Sequence, residues 1–249
     1  MIEHVLANEP TARLLAFFSV LTVMVVWEVL AARRPQTVRR TLRWPANLGI
    51  VLINTLALRL VFPLAAVGAA LHASDQGWGL LNQLTLPGWL AGPIAMLILD
   101  LTIYFQHRAF HTVPWLWRLH RMHHADTEFD VTTGLRFHPL EILLSMAIKV
   151  AIVIALGAPA FAVLAFEILL SATALFNHGN VRLPLALDRL LRLVLVTPDM
   201  HRVHHSVVRE ETDSNFGFSV PWWDRLFGTY RAQPAAGQLG MTIGLDRFR

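Results

Sequence analysis

Five long apolar runs dominate the hydrophobic pattern of the chain. They cover residues 14–32, 46–71, 87–106, 139–156 and 159–176. Each has roughly the length that a helix needs to cross the hydrocarbon core of a bilayer, which is about 20 residues. Only Gly157 and Ala158 separate the last two runs, and this pair suits a tight reversal. The pattern predicts an all-α fold: an integral membrane helical bundle of three spans plus a helical hairpin.

The arginines predict the orientation of this bundle. The segment between the first two runs contains Arg33, Arg34, Arg39, Arg40 and Arg43, whereas residues 72–86 contain neither Arg nor Lys. Short loops rich in Arg and Lys stay in the cytosol. Counting crossings then places the N-terminus outside and residues 107–138 and 177–249 in a cytosolic, histidine-rich helical cap. The expected location is the inner membrane of a bacterium or the endoplasmic reticulum of a eukaryote.

Composition supports a membrane protein and narrows the chemistry. Hydrophobic residues make up 55% of the chain and charged residues 15%, against about 25% charged residues in ordinary soluble domains. The formal charge of +4 is explained by topology, so we expect no nucleic-acid partner. Without cysteine, any metal must bind nitrogen or oxygen. No repeat or linker divides the sequence, which predicts a single domain over residues 1–249.

Eight of the twelve histidines form three clusters. The clusters are His107-x3-His111, His120-x2-His123-His124 and His201-x2-His204-His205. Residues three and four apart share a helix face, so we expect each cluster to direct all its imidazoles to one side. One zinc ion takes four ligands. Eight imidazoles therefore indicate two metal ions.

Imidazole suits zinc, copper, iron and nickel alike, so ligand type alone leaves the metal open. A zinc hydrolase of the HExxH type needs a glutamate base beside its ligands, and the residues between these histidines are Arg-Ala-Phe, Arg-Met and Arg-Val. Haem would instead require opposed single histidines inside the bundle. Redox-active iron that activates oxygen beside a lipid layer is the interpretation that uses both the ligands and their location.

The order HxxxH, HxxHH, HxxHH, with apolar runs before and between, resembles the fatty acid hydroxylase and sterol desaturase superfamily of membrane di-iron enzymes. Residues 132–136, 213–217 and 223–230 also look like family stretches. The resemblance covers about residues 85–231. It is closest to the sterol-desaturase-like and alkylglycerol-monooxygenase-like branch.

The resemblance implies that the clustered histidines bind two iron ions. The residues matched are His107, His111, His120, His123, His124, His201, His204 and His205. His138, before the fourth run, and His178, after the fifth, return to the same face as further candidate ligands; the alternative is that they hydrogen-bond to ligands. Zinc can replace iron in purified protein because it generally binds nitrogen sites more tightly than ferrous iron.

Asp100, Tyr104 and Glu141 are the candidate supporting residues. Asp100 and Tyr104 lie seven and three residues before His107, on one helical stripe. A carboxylate in lipid needs a partner, so we expect Asp100 to accept the spare ring N–H of a ligand histidine; Arg59 is the alternative partner. Glu141, three residues after His138, is expected to act similarly.

Two further charges lie in the predicted hairpin. Lys149 lies eight residues before Gly157 and Glu167 eight residues after Pro159. Equal distance from the turn means equal depth, so the two side chains should form an ion pair. Arg59, in the second run, faces a polar interior or marks a break near Pro63.

The resemblance implies an oxidoreductase that uses O2 and external electrons to hydroxylate or desaturate a C–H bond of a lipid or sterol-like substrate entering from the bilayer. The sequence leaves both outcomes open. It contains no cysteine cluster and no GxGxxG motif. Electrons are therefore expected from a ferredoxin or from a b-type cytochrome with its reductase. The predicted cytosolic arginines offer an acidic partner a docking surface.

Two alternatives come from other functional classes. A metal-dependent lipid hydrolase would turn over without oxygen or reductant. A non-catalytic membrane metal-binding protein, such as a carrier or sensor, would place its ligands along a path through the bilayer, whereas these histidines cluster on one predicted side.

Overall fold

A computed structural model describes residues 2–84 and 86–247. All regular secondary structure in these residues is helical, apart from isolated β-bridges. The α-helices are α1 Ile2–Ala7, α2 Glu9–Leu30, α3 Arg40–Val61, α4 Ala65–Asp75, α5 Leu80–Gln83, α6 Gly88–Thr112, α7 Pro114–His124, α8 Pro139–Leu156, α9 Ala160–Asn177, α10 Leu185–Leu191, α11 Pro198–His204, α12 Arg209–Thr212, α13 Trp222–Leu226 and α14 Gly237–Gly240. A 3-10 turn covers Thr133–Leu135.

Five helical segments are long and apolar enough to cross a membrane. They are α2, the stretch Arg40–Gln83 that contains α3 to α5, and α6, α8 and α9. This confirms the predicted all-helical membrane bundle.

The second predicted run is bent. It was expected to be one apolar run over residues 46–71, but α3 ends at Val61 and α4 begins at Ala65. Pro63 lies between them and has no backbone N–H to continue the helical hydrogen bonds. Arg59 is exposed in the last turn of α3, where a cation complements the free carbonyl groups of the helix end.

The predicted hairpin and its ion pair are both confirmed. Gly157 adopts a left-handed conformation (φ 67°) after α8, and the next amide bonds back to Val153, which is a common helix-ending pattern. Lys149 Nζ lies 2.7 Å from Glu167 Oε1, which fixes the register of α8 against α9. Arg13 of α2 joins them, 2.6 Å from Glu167 Oε2.

The hairpin turn and the histidines lie at opposite ends of the bundle. A Cβ atom on Gly79 would collide with the backbone of Gly157, so residues 78–79 pack directly on the turn. Val5 and Leu6 pack into the same apolar cluster as Ala158. The N-terminal helix, the segment before α6 and the hairpin turn therefore share one end of the bundle.

Ion pairs attach segments next to the histidines to α3 and to the residues after α2. Arg43 of α3 lies 2.5 Å from Asp126 and 2.7 Å from Asp130, and Arg33 lies 3.0 Å from Asp199. The arginines that predicted topology thus also fix the loop after α7 and the start of α11.

Candidate metal centre

Nine histidines from α6, α7, α11 and the residues just after α9 and α11 converge in two buried groups. Within each group the candidate ligand nitrogens all lie within 4.8 Å of one another. The first group contains His107, His111, His120, His124 and His204. The second group contains His123, His178, His201 and His205.

Each HxxHH motif contributes to both groups. Neighbouring residues on a helix are turned by about 100° from one another, so His123 and His124 point to different groups, as do His204 and His205. His120 and His124, four residues apart, point to the same one. The expectation that each cluster directs all its imidazoles to one side is therefore wrong for the two HxxHH clusters, and it is confirmed for His107 and His111, which both belong to the first group. The motifs lie between the two groups and supply both.

Backbone carbonyls orient three of the rings. Nδ1 of His107 lies 2.8 Å from the Phe216 carbonyl oxygen, and Nδ1 of His178 lies 2.8 Å from that of Ala174. Nδ1 of His204 similarly bonds to Ser214 at 2.8 Å. A carbonyl can only accept, so each Nδ1 carries the proton and each Nε2 presents a lone pair, the form that binds a metal.

Carboxylates orient two more rings. Glu141 Oε1 lies 2.6 Å from His120 Nδ1, and Asp213 Oδ1 lies 3.3 Å from His111 Nδ1. Asp213 had no assigned role in the sequence-based prediction, because nothing in the local pattern places it near α6.

Asp100 and Tyr104 have partners other than histidine. Asp100 accepts a hydrogen bond from the indole N–H of Trp223 at 2.8 Å, so its predicted histidine partner is corrected to a tryptophan. The Tyr104 hydroxyl lies 2.9 Å from the Thr229 hydroxyl, and its ring stacks on Phe227. Both residues thus hold the segment around α13 against α6.

His138 lies outside both groups. It is half-buried and occupies the N-cap position of α8, where its Nδ1 accepts a hydrogen bond from the Leu140 amide at 3.2 Å. His178 is fully buried within the second group. The two histidines that the sequence could not rank therefore lie in different environments.

Burial lowers the pKa of six of these imidazoles and so favours their neutral form. It lowers the pKa of His178 to about 4 and, together with the nearby His120, that of His204 to about 3. Burial and neighbouring imidazoles also hold the pKa values of His123, His124, His201 and His205 well below the usual range. Neutral imidazole is the form that binds a metal ion.

The arrangement fits bound metal ions. The Nε2 atoms of His107 and His120 lie 3.2 Å apart while their Nδ1 atoms are engaged elsewhere, so two lone pairs face each other in a buried space. Nε2 of His204 and Nδ1 of His201 have no hydrogen-bond partner among the described residues. Buried polar atoms without partners are costly, and a cation within each group would engage the imidazole lone pairs of that group. Donor sets of nitrogen alone suit iron, zinc, copper or nickel.

A cavity of about 410 Å³ opens beside the first group. His107 and His120 form part of its wall, and Ile103, Phe110 and Phe137 supply apolar lining. The cavity lies between α6, α8 and α9 and is large enough for part of a lipid chain. Its lining comes from six α-helices, the loop after α7 and Phe218, so single-sequence reasoning could not assemble it.

Comparisons with known proteins agree with this geometry. The family model for fatty acid hydroxylase matches residues 92–229. The chain is 31% identical over 151 residues to ornithine lipid hydroxylase OlsE of Rhizobium tropici, covering 60% of this chain and 45% of that protein. It is 31% identical over 159 residues to the alkylglycerol monooxygenase of Homo sapiens, covering 62% and 34%. A Delta(7)-sterol-C5(6)-desaturase of Nicotiana tabacum is 25% identical over 202 residues, covering 75% and 69%.

The chain spans less than half the length of the first two of these relatives. No solved structure matches it. The family model covers more than half of the chain, including every histidine of both groups. The chain therefore belongs to the fatty acid hydroxylase family.

Proposed function

We propose that the protein is a membrane-bound, O2-dependent di-iron enzyme that hydroxylates a C–H bond of a lipid or sterol-like substrate. One observation carries the proposal: two buried groups of converging imidazoles lie beside a largely apolar cavity. Two of the relatives are named as a lipid hydroxylase and a monooxygenase. Bound iron would supply the activation of O2 that oxidation of an unactivated C–H bond requires.

The two groups would each hold one ion. His107, His111, His120, His124 and His204 would bind the first, and His123, His178, His201 and His205 the second. Glu141 would hold the proton on His120 Nδ1 and so keep its Nε2 free to bind. We leave His138 out of the ligand set because its ring nitrogen caps α8. Zinc would occupy the same nitrogen sites when iron is scarce.

The cavity would bind and orient the substrate. Ile103, Phe110 and Phe137 would contact an apolar chain and exclude water from the wall formed by His107 and His120. This arrangement would bring one segment of the chain close to the first group. Positioning of this kind is a major part of what a protein contributes to a reaction.

We propose that electrons come from an external ferredoxin or b-type cytochrome with its reductase. A second, more polar pocket reaches His111, and Arg118, Arg209 and Asp213 line it. Exposed arginines beside the first group would attract an acidic donor.

Arg33 and Arg43 lie at the cap end, which supports a cap in the cytosol and an outside N-terminus, in a bacterial inner membrane or the endoplasmic reticulum. Because α2 and α3 pack against the hairpin, we treat residues 1–249 as one domain.

Comparative mass spectrometry of lipids from cells with and without the gene tests this function. We expect at least one lipid to gain one oxygen atom in aerobic cells that contain a competent reductase, and the gain to disappear with the H204A and H205A double variant. Loss of two hydrogen atoms would identify a desaturase instead. Turnover of a lipid without oxygen and reductant would identify a hydrolase, and no change in any lipid would contradict the proposal.

A further inference from the structure

A largely buried cluster of charges forms part of the wall of the apolar cavity. Lys149 and Glu167 line the cavity together with Arg13. Their side chains are 12%, 7% and 29% exposed, respectively, and the ion-pair distances are 2.7 and 2.6 Å. Charged side chains in the membrane are expensive and usually functional.

The charge cluster lies away from the histidines. Glu141, Ser145 and Lys149 are spaced by four residues along α8 and all line the cavity, so they form one stripe. Eight residues of helix separate Glu141 from Lys149, which corresponds to about 12 Å. Glu141 contacts His120 at one end of this stripe. The cavity therefore connects the first histidine group with the charge cluster over roughly the length of a medium alkyl chain.

The charge cluster favours a neutral ligand. Glu9 lies 3.0 Å from Arg13, so two cations and two anions balance, and no charge is left to attract an ion. An ammonium group has three N–H donors. Among the described residues, Lys149 donates one hydrogen bond, to Glu167. Its other donors belong to a side chain that lines the cavity, where a neutral oxygen atom could accept them.

A purely structural role would be served at lower cost. Apolar residues of similar volume often stabilise helix packing as well as a buried ion pair does. Apolar side chains could therefore hold α2, α8 and α9 together, and packing alone does not explain charges in an apolar cavity.

We propose that Lys149, held by Glu167 and Arg13, binds a neutral oxygen of the lipid substrate: a hydroxyl, ether or ester oxygen. The apolar chain then extends along the α8 stripe towards His107 and His120. This inference rests on the proposed function, because it identifies the cavity as the lipid site. Binding the oxygen at a fixed place determines which carbon of the chain lies beside the first histidine group.

Native mass spectrometry of the protein of residues 1–249, incubated with zinc in detergent, tests this proposal. The probes are dodecan-1-ol, dodecane and dodecanoate. We expect the wild type to retain dodecan-1-ol about tenfold better than dodecane, as one hydrogen bond to a charged donor would give, and better than dodecanoate. K149M should lose the preference and K149R should keep it. R59M, which removes an exposed cation from α3 outside the cavity, is the matched control and should keep it.

Zinc content, measured on the same samples, separates the two proposals. A K149M protein with unchanged zinc and an unchanged preference for dodecan-1-ol would overturn the inference, as would a preference for dodecanoate. A wild type that binds no zinc yet prefers dodecan-1-ol would contradict the metal centre alone.

A second measurement needs no variant. Dodecan-1-ol with a diazirine on its terminal carbon should crosslink near Phe110 or Phe137 at the histidine end. Crosslinking at Lys149 would show the opposite orientation and overturn the inference.

Discussion

Glu141 Oε1 of α8 lies 2.6 Å from His120 Nδ1 of α7. Both side chains are buried, and both line the cavity. The contact therefore joins the metal centre to the helix that would guide the substrate.

Replacing Glu141 should weaken metal binding. E141A removes the acceptor that fixes the His120 ring, and loss of such a partner typically costs about 10- to 100-fold in metal affinity or activity. D100N is the matched control, because Asp100 bonds to Trp223 and to no histidine. Metal affinity measured by competition with a chelator should fall for E141A and stay unchanged for D100N. Equal losses in both variants would contradict the role of Glu141.

Pairs of histidine substitutions should reveal the two groups. H124A combined with H204A damages only the first group, so one of two metal ions should remain. H204A combined with H205A damages both groups although the residues are neighbours, so both ions should be lost. Metal content by elemental mass spectrometry, with the folded fraction as reference, measures this. If one ion remained in both double variants, the division of the histidines into two metal-binding groups would be refuted.

H138A should retain both metal ions. The His138 ring caps α8, and loss of an N-cap costs about 1 kcal/mol of stability. H138N, which can also cap a helix, should recover most of that loss. H178A provides the contrast, because His178 lies in the second group and its loss should remove one ion. Loss of metal from H138A would instead assign His138 as a ligand.

R43M should destabilise the folded protein. It should also reverse the direction in which the stability changes as the pH falls. Burial alone would raise the pKa of Asp130, but Arg43 and the hydrogen bond from Thr132 outweigh it and hold this pKa below its usual range. In the wild type, the Asp130 carboxylate therefore raises the free energy of unfolding. This contribution is complete above about pH 4, and it decreases as the pH falls through the depressed pKa of Asp130.

In R43M, two buried carboxylates lose their cation, at a cost of about 3–5 kcal/mol near neutral pH. Protonation now relieves that repulsion, so the stability of R43M should rise as the pH falls towards 4. Thermal unfolding of the purified protein across this pH range measures both effects, with the exposed Arg39 as the R39M control. An R43M protein as stable as R39M at neutral pH would refute the role of this ion cluster.

Local spacing made much of this architecture predictable. Apolar runs mark the membrane helices, and helical periodicity brings His120 and His124 to one side. The Lys149–Glu167 pair could be predicted because a short turn fixes the register of the hairpin. The bend at Pro63 follows from the missing amide of proline.

Contacts between distant segments were not predictable from one sequence. Asp100 and Trp223 are 123 residues apart, and Arg13 and Glu167 are 154 residues apart; no local pattern links them. The group that each of His123 and His124 joins depends on which distant histidines meet its ring, such as His178 for His123 and His111 for His124. Those relationships appear only when the chain is folded.

Oxygen-isotope labelling tests the central claim most directly. The iron-loaded protein, with a reductase system and a lipid extract, is incubated under 18O2 in ordinary water and, separately, under ordinary O2 in H2 18O. The proposed function predicts a lipid product that carries one oxygen-18 atom from O2 and none from water, and that is absent with the H204A and H205A double variant. Label derived from water, or the same product formed without O2, would contradict an oxygenase.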